Sequence, residues 1–186
     1  MVQPKRAKLT VRDYMSIPEG DDRRFELIDG ELILAPSPVP QHQRISRNLV
    51  EILVGFLRTQ NLGELFYAPM DVVLSDHDVF QPDILFISND RREIIGDRNI
   101  QGSPDLVIEI LSPSTEDRDR GDKRDTYLRY GVREYWIIDP VNRTCEVLRA
   151  GDVEFGTTRV YPEGMTATSP VLEGIQVEVD QLFMAR

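Results

Sequence analysis

The sequence contains a single cysteine, Cys145, and this scarcity limits the sites that it can form. One thiol cannot form a disulfide within the chain or supply the cysteine pairs of a structural zinc site. No apolar run approaches about 18 residues, so we expect no membrane-spanning helix. The segment MVQPKRAKLTVRDYM has basic residues but no apolar core. We therefore expect no secretory signal and a cytoplasmic location.

Two further absences narrow the possible chemistry. The sequence has no glycine-rich loop with the spacing of a phosphate-binding motif. Ser112 and Ser114 have no histidine and aspartate at a matching spacing, which argues against a serine hydrolase.

The chain also has fewer basic than acidic residues. The chain has 22 Lys and Arg residues against 32 Asp and Glu, a formal net charge of −10. Such a field repels polyanions, which disfavours a nucleic-acid partner. The imbalance is uneven, however, because residues 116–133 carry six basic and five acidic side chains. The net charge is therefore weak evidence against a DNA substrate, but it predicts low non-specific affinity and strong salt sensitivity.

The remaining composition is that of an ordinary globular protein, with 186 residues, 40% hydrophobic and 29% charged. A chain of this length buries a sizeable core as one domain. We expect residues 1–186 to form that domain, with an N-terminal hairpin at 24–35, a core at about 41–140 and C-terminal strands at 143–183.

Local patterns predict the first two elements. The Asp29-Gly30 pair between two apolar-rich runs favours a type I′ turn, and hence a hairpin of residues 24–28 and 31–35. Apolar residues recur at helical spacing over residues 41–60, which predicts a long helix ending near Gly63.

The segments after residue 64 are predicted mainly as strands. Three runs rich in β-branched or aromatic residues predict strands at 65–74, 81–88 and 104–111, the last two apolar on both faces. A helix over 117–130, ending at Gly131, leads to a strand at 134–139. This helix makes a crossover, so the strands before and after it should be parallel. The fold class is therefore α/β or α+β with a mixed sheet.

Glu109 is the most informative residue, because it lies in the apolar run LVIEIL. A buried carboxylate is costly unless it is paired or binds a metal. If strands 81–88 and 104–111 are antiparallel neighbours, Asp83 faces Glu109 across the pair, about 5 Å apart at Cβ. Two close carboxylates repel each other, so the pair favours a divalent cation.

Lys123 is the third candidate. It lies early in the crossover helix, which starts beside the end of the strand that carries Glu109, and it can reach back toward the carboxylates. Each residue also has a structural interpretation. Glu109 could be satisfied by a structural Arg or Tyr, Asp83 could cap a turn, and Lys123 could pair with Asp119 on a solvated helix face.

Several segments together resemble one known family. QPDILFI, DLVIEILSPST, DRGDKRDTYLRYGVREYWIIDP, ELIDGEL and the helix entry PSPVPQHQRI resemble the Uma family, a domain-of-unknown-function group of restriction-endonuclease-like proteins. The resemblance extends from about Leu9 to Phe183. It implies a PD-(D/E)XK nuclease core, in which helices flank a mixed central sheet with a helix, a three-stranded meander, a second helix and a further strand.

The resemblance also implies roles for the three candidates. Asp83 matches the aspartate of the family's PD motif and Glu109 matches the (D/E) position, whereas Leu111 stands where the lysine of E-x-K would be. Lys123 resembles that lysine relocated to the following helix. By this resemblance, Asp83, Glu109 and the backbone carbonyl of Ile110 would hold Mg²⁺ or Mn²⁺.

Two auxiliary residues complete the candidate site. Glu26, in the run FELID, could lie near the metal or could be a strand-edge charge. His42, at the start of the long helix, could contact phosphate or could simply form a hydrogen bond at the helix end.

The resemblance implies a metal-dependent endonuclease that hydrolyses phosphodiester bonds of DNA. It also suggests a homodimer, because related nucleases cut duplexes in pairs. One alternative is a catalytically inactive nuclease-like fold that acts as a binding or regulatory protein. Another is a carboxylate pair that hydrolyses a different bond, such as a glycosidic one. The lysine favours the nuclease over the glycosidase, provided that Lys123 lies within about 8 Å of the carboxylates.

Overall fold

The computed structural model describes residues 7–18, 23–151 and 155–185. The helices are α1 (Val11–Met15), α2 (Pro40–Gln60), α3 (Glu116–Arg120), α4 (Asp122–Arg129) and α5 (Val179–Leu182), and a 3₁₀ segment covers Asn89–Ile94. The strands are β1 (Arg24–Ile28), β2 (Glu31–Ala35), β3 (Gly63–Tyr67), β4 (Val72–Ser75), β5 (Asp78–Phe80), β6 (Ile84–Ser88), β7 (Ile100–Gln101), β8 (Leu106–Ile110), β9 (Glu134–Asp139), β10 (Thr144–Ala150), β11 (Phe155–Pro162), β12 (Thr166–Ala167) and β13 (Val177–Glu178).

Within the described ranges, the strands form two large sheets and one small one. The six-stranded sheet has the order β11-β10-β9-β8-β6-β3, and the five-stranded sheet has the order β2-β1-β5-β4-β7. β3, β6 and β8 are antiparallel neighbours, while β8 and β9 are parallel and joined through α3 and α4. These mixed sheets flanked by helices confirm the fold class and the crossover, although the N-terminal hairpin belongs to a second sheet.

The hairpin and the long helix confirm the local patterns. Asp29 and Gly30 both have positive φ, 48° and 77°, as a type I′ turn requires. The helix ends at Gln60, as predicted, and Asn61 rather than Gly63 takes the left-handed conformation at its end, with φ 47°. Gly63 is instead the first residue of β3, where its backbone lies very close to β6.

Two predicted strands are wrong in extent. The run at 65–74 contains β3 and β4, which belong to different sheets. Pro69 lies between them and cannot donate a backbone hydrogen bond, so the hydrogen bonding of β3 in the six-stranded sheet does not continue past it. The run at 81–88 begins its strand only at Ile84, after Pro82, for the same reason.

The predicted helix over 117–130 is also wrong in extent, because it is two helices. Gly121 separates α3 from α4 with a non-helical backbone at φ −112°, ψ −104°. A Cβ on Gly121 would lie 2.7 Å from the carbonyl oxygen of Asp117, so only glycine fits this break without a shift.

The core lies on both faces of the six-stranded sheet. Ile108 and Ile110 pack with Leu49 of α2 on one face. Val107 and Leu111 pack with Tyr127 of α4 on the other. Since side chains alternate along a strand, Glu109 points to the face covered by α4. Among the described residues, none of the helices has the length and apolar character needed to cross a bilayer.

The close approach at Gly63 generates a stability prediction. A Cβ at Gly63 would lie 2.0 Å from the carbonyl oxygen of Ile87, which is backbone and cannot move aside without shifting β6. We expect Gly63→Ala to lower the free energy of unfolding by about 1–3 kcal/mol. Thermal or urea unfolding measures the change.

Gly55 is the matched control, since it is an exposed residue inside α2 and a Cβ there would meet nothing within 4 Å. Gly55→Ala should raise the unfolding free energy by about 0.5–1 kcal/mol. Equal effects of the two substitutions would contradict the tight contact between β3 and β6.

Candidate active site

Glu109 lies in the middle of β8, a central strand, and is 4% exposed. Its Oε1 atom accepts hydrogen bonds from Lys123 Nζ at 3.0 Å and from the Tyr127 hydroxyl at 2.9 Å. The carboxylate is thus satisfied by a tyrosine, as one sequence interpretation expected, and also by the lysine.

Asp83 immediately precedes β6 and lies opposite Glu109. The register pairs Ile84 with Ile108, which brings the backbone N–H of Asp83 to 3.4 Å from Glu109 Oε2. Asp83 Oδ2 accepts the backbone N–H of Ile110 at 2.8 Å. Asp83 therefore bonds across the strand pair rather than capping a turn, and each of the two carboxylates accepts a backbone N–H from the opposite strand segment.

Lys123 projects from α4 into a set of carboxylates. Its Nζ lies 2.8 Å from Glu26 Oε1, 3.0 Å from Glu109 Oε1 and 3.6 Å from Asp119 Oδ1. Lys123 is 5% exposed. The pair with Asp119 exists, but it is buried, so the interpretation as a solvated helix face is wrong. We call Glu26, Glu109, Asp119 and Lys123 the lysine cluster.

Burial and charge perturb this cluster in opposite directions. Burial by itself would lower the pKa of Lys123, but the negative charges of Glu109 and Glu26 raise it well above its usual value. Burial raises the pKa of Glu109, and the charge of Lys123 only partly offsets this. Lys123 is therefore a permanent cation, whereas Glu109 holds a proton more readily than an exposed glutamate.

The two auxiliary residues both reach the site. Glu26 lies on β1, which pairs with β2 and β5, so the interpretation as a strand-edge charge is wrong. Besides its contact with Lys123, Glu26 Oε1 accepts the backbone N–H of Gln81 at 2.9 Å. His42 lies in the first turn of α2, and its Nε2 is 3.1 Å from Asp83 Oδ2. Burial would lower the pKa of His42, but the contact with Asp83 outweighs burial and raises it.

Sequence reasoning did not assign Asp119 and Tyr127 to the site. With Lys123 they occur at i, i+4 and i+8, the spacing that places side chains on one helix face. Tyr127 is fully buried and Asp119 is 2% exposed. The spacing could have revealed both, although the break at Gly121 makes the regular stripe less obvious.

These residues line a cleft of about 390 Å³. We call it the carboxylate cleft, and its polar lining includes Glu26, His42, Asp83, Glu109, Asp119 and Lys123. Its four carboxylates lie among Lys123, His42, Arg24 and Arg118, and carboxylate oxygens are the ligands that a divalent cation prefers.

The donor set fits a small, water-rich metal site rather than a complete protein cage. Across the described parts of the chain, no group of three or more His, Cys, Asp or Glu side chains could hold a metal ion. Mg²⁺, however, commonly uses one or two carboxylates and keeps several waters. Glu109 Oε2 faces Asp83, and the N–H of Ile110 points to Asp83, so its carbonyl lies on the same side of the strand.

Removal of the lysine should destabilise the fold. We expect Lys123→Met to lower the free energy of unfolding by about 3–5 kcal/mol near neutral pH, because buried carboxylates lose their cation. The loss should shrink as the pH falls below neutral, since Glu109, whose pKa in the folded chain is raised by burial, then takes up a proton more readily than in the unfolded chain. Urea unfolding at neutral and at mildly acidic pH measures the effect.

Arg124→Met is the control, because Arg124 is the next residue and forms an exposed pair with Asp125. It should cost less than about 1 kcal/mol at either pH. A loss at Lys123 that stays constant with pH would contradict the role of Glu109 in this effect.

Comparisons with known proteins give the family and the fold of this chain. The model of the Uma2 family, described as "Putative restriction endonuclease", matches residues 11–180. "Uncharacterized protein sll1609" of Synechocystis sp. (strain ATCC 27184 / PCC 6803 / Kazusa) is 26% identical over 133 residues, which are 70% of this chain and 75% of that protein. The crystal structure of "a putative nuclease belonging to DUF820 from Anabaena variabilis ATCC 29413" has a TM-score of 0.77 and 24% identity, and the match covers 94% of this chain and 97% of that chain. That likeness shows a common fold. Because the family model spans most of the chain, this protein belongs to the Uma2 family.

Proposed function

We propose that this protein is a metal-dependent endonuclease that hydrolyses phosphodiester bonds of DNA. The observation that carries the proposal is the placement of Asp83 opposite Glu109, with Lys123 3.0 Å from Glu109, in an open cleft. Membership of a family described as "Putative restriction endonuclease" supports the same reaction class.

Asp83, Glu109 and the backbone carbonyl of Ile110 would hold Mg²⁺ or Mn²⁺. When bound, the ion supplies Lewis acidity that activates water for attack on phosphorus and offsets the phosphate charge. Asp83 is already oriented for this by its hydrogen bonds from Ile110 and His42. Such supporting contacts keep a ligand in place.

Lys123 contributes a fixed positive charge next to Glu109. Its raised pKa keeps the ammonium protonated, so it acts as a point charge that stabilises developing negative charge rather than as a base. Tyr127 donates to the same oxygen of Glu109 and thereby limits its rotation. Lys123 and Tyr127 leave Glu109 Oε2 as the oxygen directed toward Asp83.

The main alternative is a catalytically inactive fold that binds or regulates a partner. The lysine disfavours a glycosidase, because a sugar-cleaving carboxylate pair needs no ammonium group. A homodimer, which would place two carboxylate clefts on one duplex, is part of the proposal. The cytoplasmic location remains a prediction from the sequence.

We expect the purified protein to cleave DNA with Mg²⁺ or Mn²⁺, and to lose this activity when the ion is chelated. Asp83→Asn retains an oxygen for the N–H of Ile110 but removes the charge, and it should lower the cleavage rate about a hundredfold or more. Lys123→Ala should do the same. Cleavage of duplex and single-stranded DNA, and of RNA, measures both activity and substrate class.

Glu173→Gln is the control, because Glu173 is an exposed carboxylate that does not line the cleft. It should retain the wild-type rate. Persistent cleavage in both site variants would show that the activity comes from elsewhere. Absence of cleavage of every substrate by folded wild-type protein would favour the inactive binding protein.

A further inference from the structure

The carboxylate cleft contains polar atoms that the protein itself does not satisfy. Among the described residues, four buried side-chain atoms lack a hydrogen-bond partner: His42 Nδ1, Gln81 Oε1, Asn99 Oδ1 and Arg118 Nη1. Three of these residues, all except Asn99, line the carboxylate cleft. Buried polar groups are nearly always paired, so this concentration indicates a place for a polar ligand.

Arg118 is the charged member of the three. Its Nη2 donates to the carbonyl oxygen of Ser114 at 3.4 Å, which ties the guanidinium to the loop after β8. No described carboxylate lies within ion-pair distance of Arg118. The neighbouring Arg120 differs, since Glu116, Asp139 and Glu146 all pair with it.

We propose that Arg118 binds a backbone phosphate of the nucleic-acid substrate, next to the bond that is cut. This inference rests on the proposed function, because it assigns the substrate's phosphate to the same cleft. A planar guanidinium presents paired N–H groups that match two phosphate oxygens, which a lysine cannot do. A phosphate there would satisfy hydrogen-bonding capacity that the fold leaves open.

The lining around Arg118 suits an anion. Ser112, Ser114 and Thr115 line the same cleft, and their hydroxyl groups, which hydrogen-bond to one another, add no negative charge there. Arg24 lines it too, and no described carboxylate pairs with that arginine. The first turn of the 21-residue helix α2, which contains no acidic residue, adds the positive end of its dipole to this wall.

Arg118 also borders a second cavity, but that cavity is less suited to phosphate. Its lining includes four acidic residues, Asp29, Glu31, Asp122 and Asp125, against only Arg118 and Arg129. The carboxylate cleft has the same number of acidic residues, but it adds Lys123, Arg24 and His42 to Arg118. The balance of charge thus directs a phosphate to the carboxylate cleft.

Binding to a fluorescent DNA duplex in the Asp83→Asn background, where cleavage is silenced, tests the inference. Fluorescence anisotropy should show about tenfold weaker binding for Arg118→Ala, the loss expected for one charged hydrogen-bonded contact. The slope of log K against log salt should become less steep by about 0.9, the value for one phosphate. Arg118→Lys should lie between, because it keeps the charge and loses the paired donors.

Arg124→Ala is the matched control, since it removes the same charge from the adjacent helix outside the cleft. It should change the Kd by less than about twofold. Equal weakening by Arg118→Ala and Arg124→Ala, or no DNA binding at all in the Asp83→Asn background, would overturn the inference. If Arg118→Ala does not fold, binding by Arg118→Lys equal to that of the parent would overturn it.

The two proposals can fail separately. Selective loss of binding in Arg118→Ala, together with wild-type protein that never cleaves DNA, would support the phosphate contact and reject the nuclease. Metal-dependent cleavage whose KM and rate are unchanged by Arg118→Ala would support the nuclease and overturn the role of Arg118.

Discussion

The structure depends on one buried cation, Lys123, which neutralises carboxylates contributed by different parts of the fold. Glu26 comes from the five-stranded sheet, Glu109 from the six-stranded sheet and Asp119 from α3, and all three contact the same ammonium group. None of these carboxylates is stable in the interior alone. The ion cluster therefore fixes how the second sheet and the crossover helices sit against the strand that carries the site.

The two oxygens of Glu109 have different partners, and this keeps Asp83 apart from Lys123. Lys123 and Tyr127 occupy Oε1 of Glu109, while Oε2 faces Asp83. Asp83 in turn is held by Ile110 and His42. Each carboxylate thus has its own set of contacts that positions it, and both residues line the cleft. The fold supplies orientation in advance, which is what a reactive site requires.

Much of the fold and part of the site followed from local patterns. The facing positions of Asp83 and Glu109 follow from two-residue alternation and antiparallel pairing, which are properties of short segments. The position of Lys123 near Glu109 follows from the short crossover, because the crossover helices start beside the end of the strand that carries Glu109. Glu26 could only be a candidate, because its position depends on a sheet assembled from distant segments.

The sequence does not predict the break at Gly121, because the backbone conformation there depends on a close approach to Asp117, which helical periodicity does not register. Arg118 was missed because an arginine in a charged run looks the same whether or not a carboxylate pairs with it.

The excess of acidic residues acquires a different meaning once their positions are known. Four of the acidic residues, Glu26, Asp83, Glu109 and Asp119, line the cleft, where Arg24, Arg118 and Lys123 offset most of their charge. A divalent cation held by Asp83 and Glu109 would make the cleft net positive and so, together with Arg118, attractive to a phosphate. Under the proposed function, metal and nucleic acid would therefore each strengthen the binding of the other, because thermodynamic coupling is reciprocal. The acidic composition that disfavours non-specific association would then make DNA bind more tightly at the metal-loaded site than elsewhere on the protein.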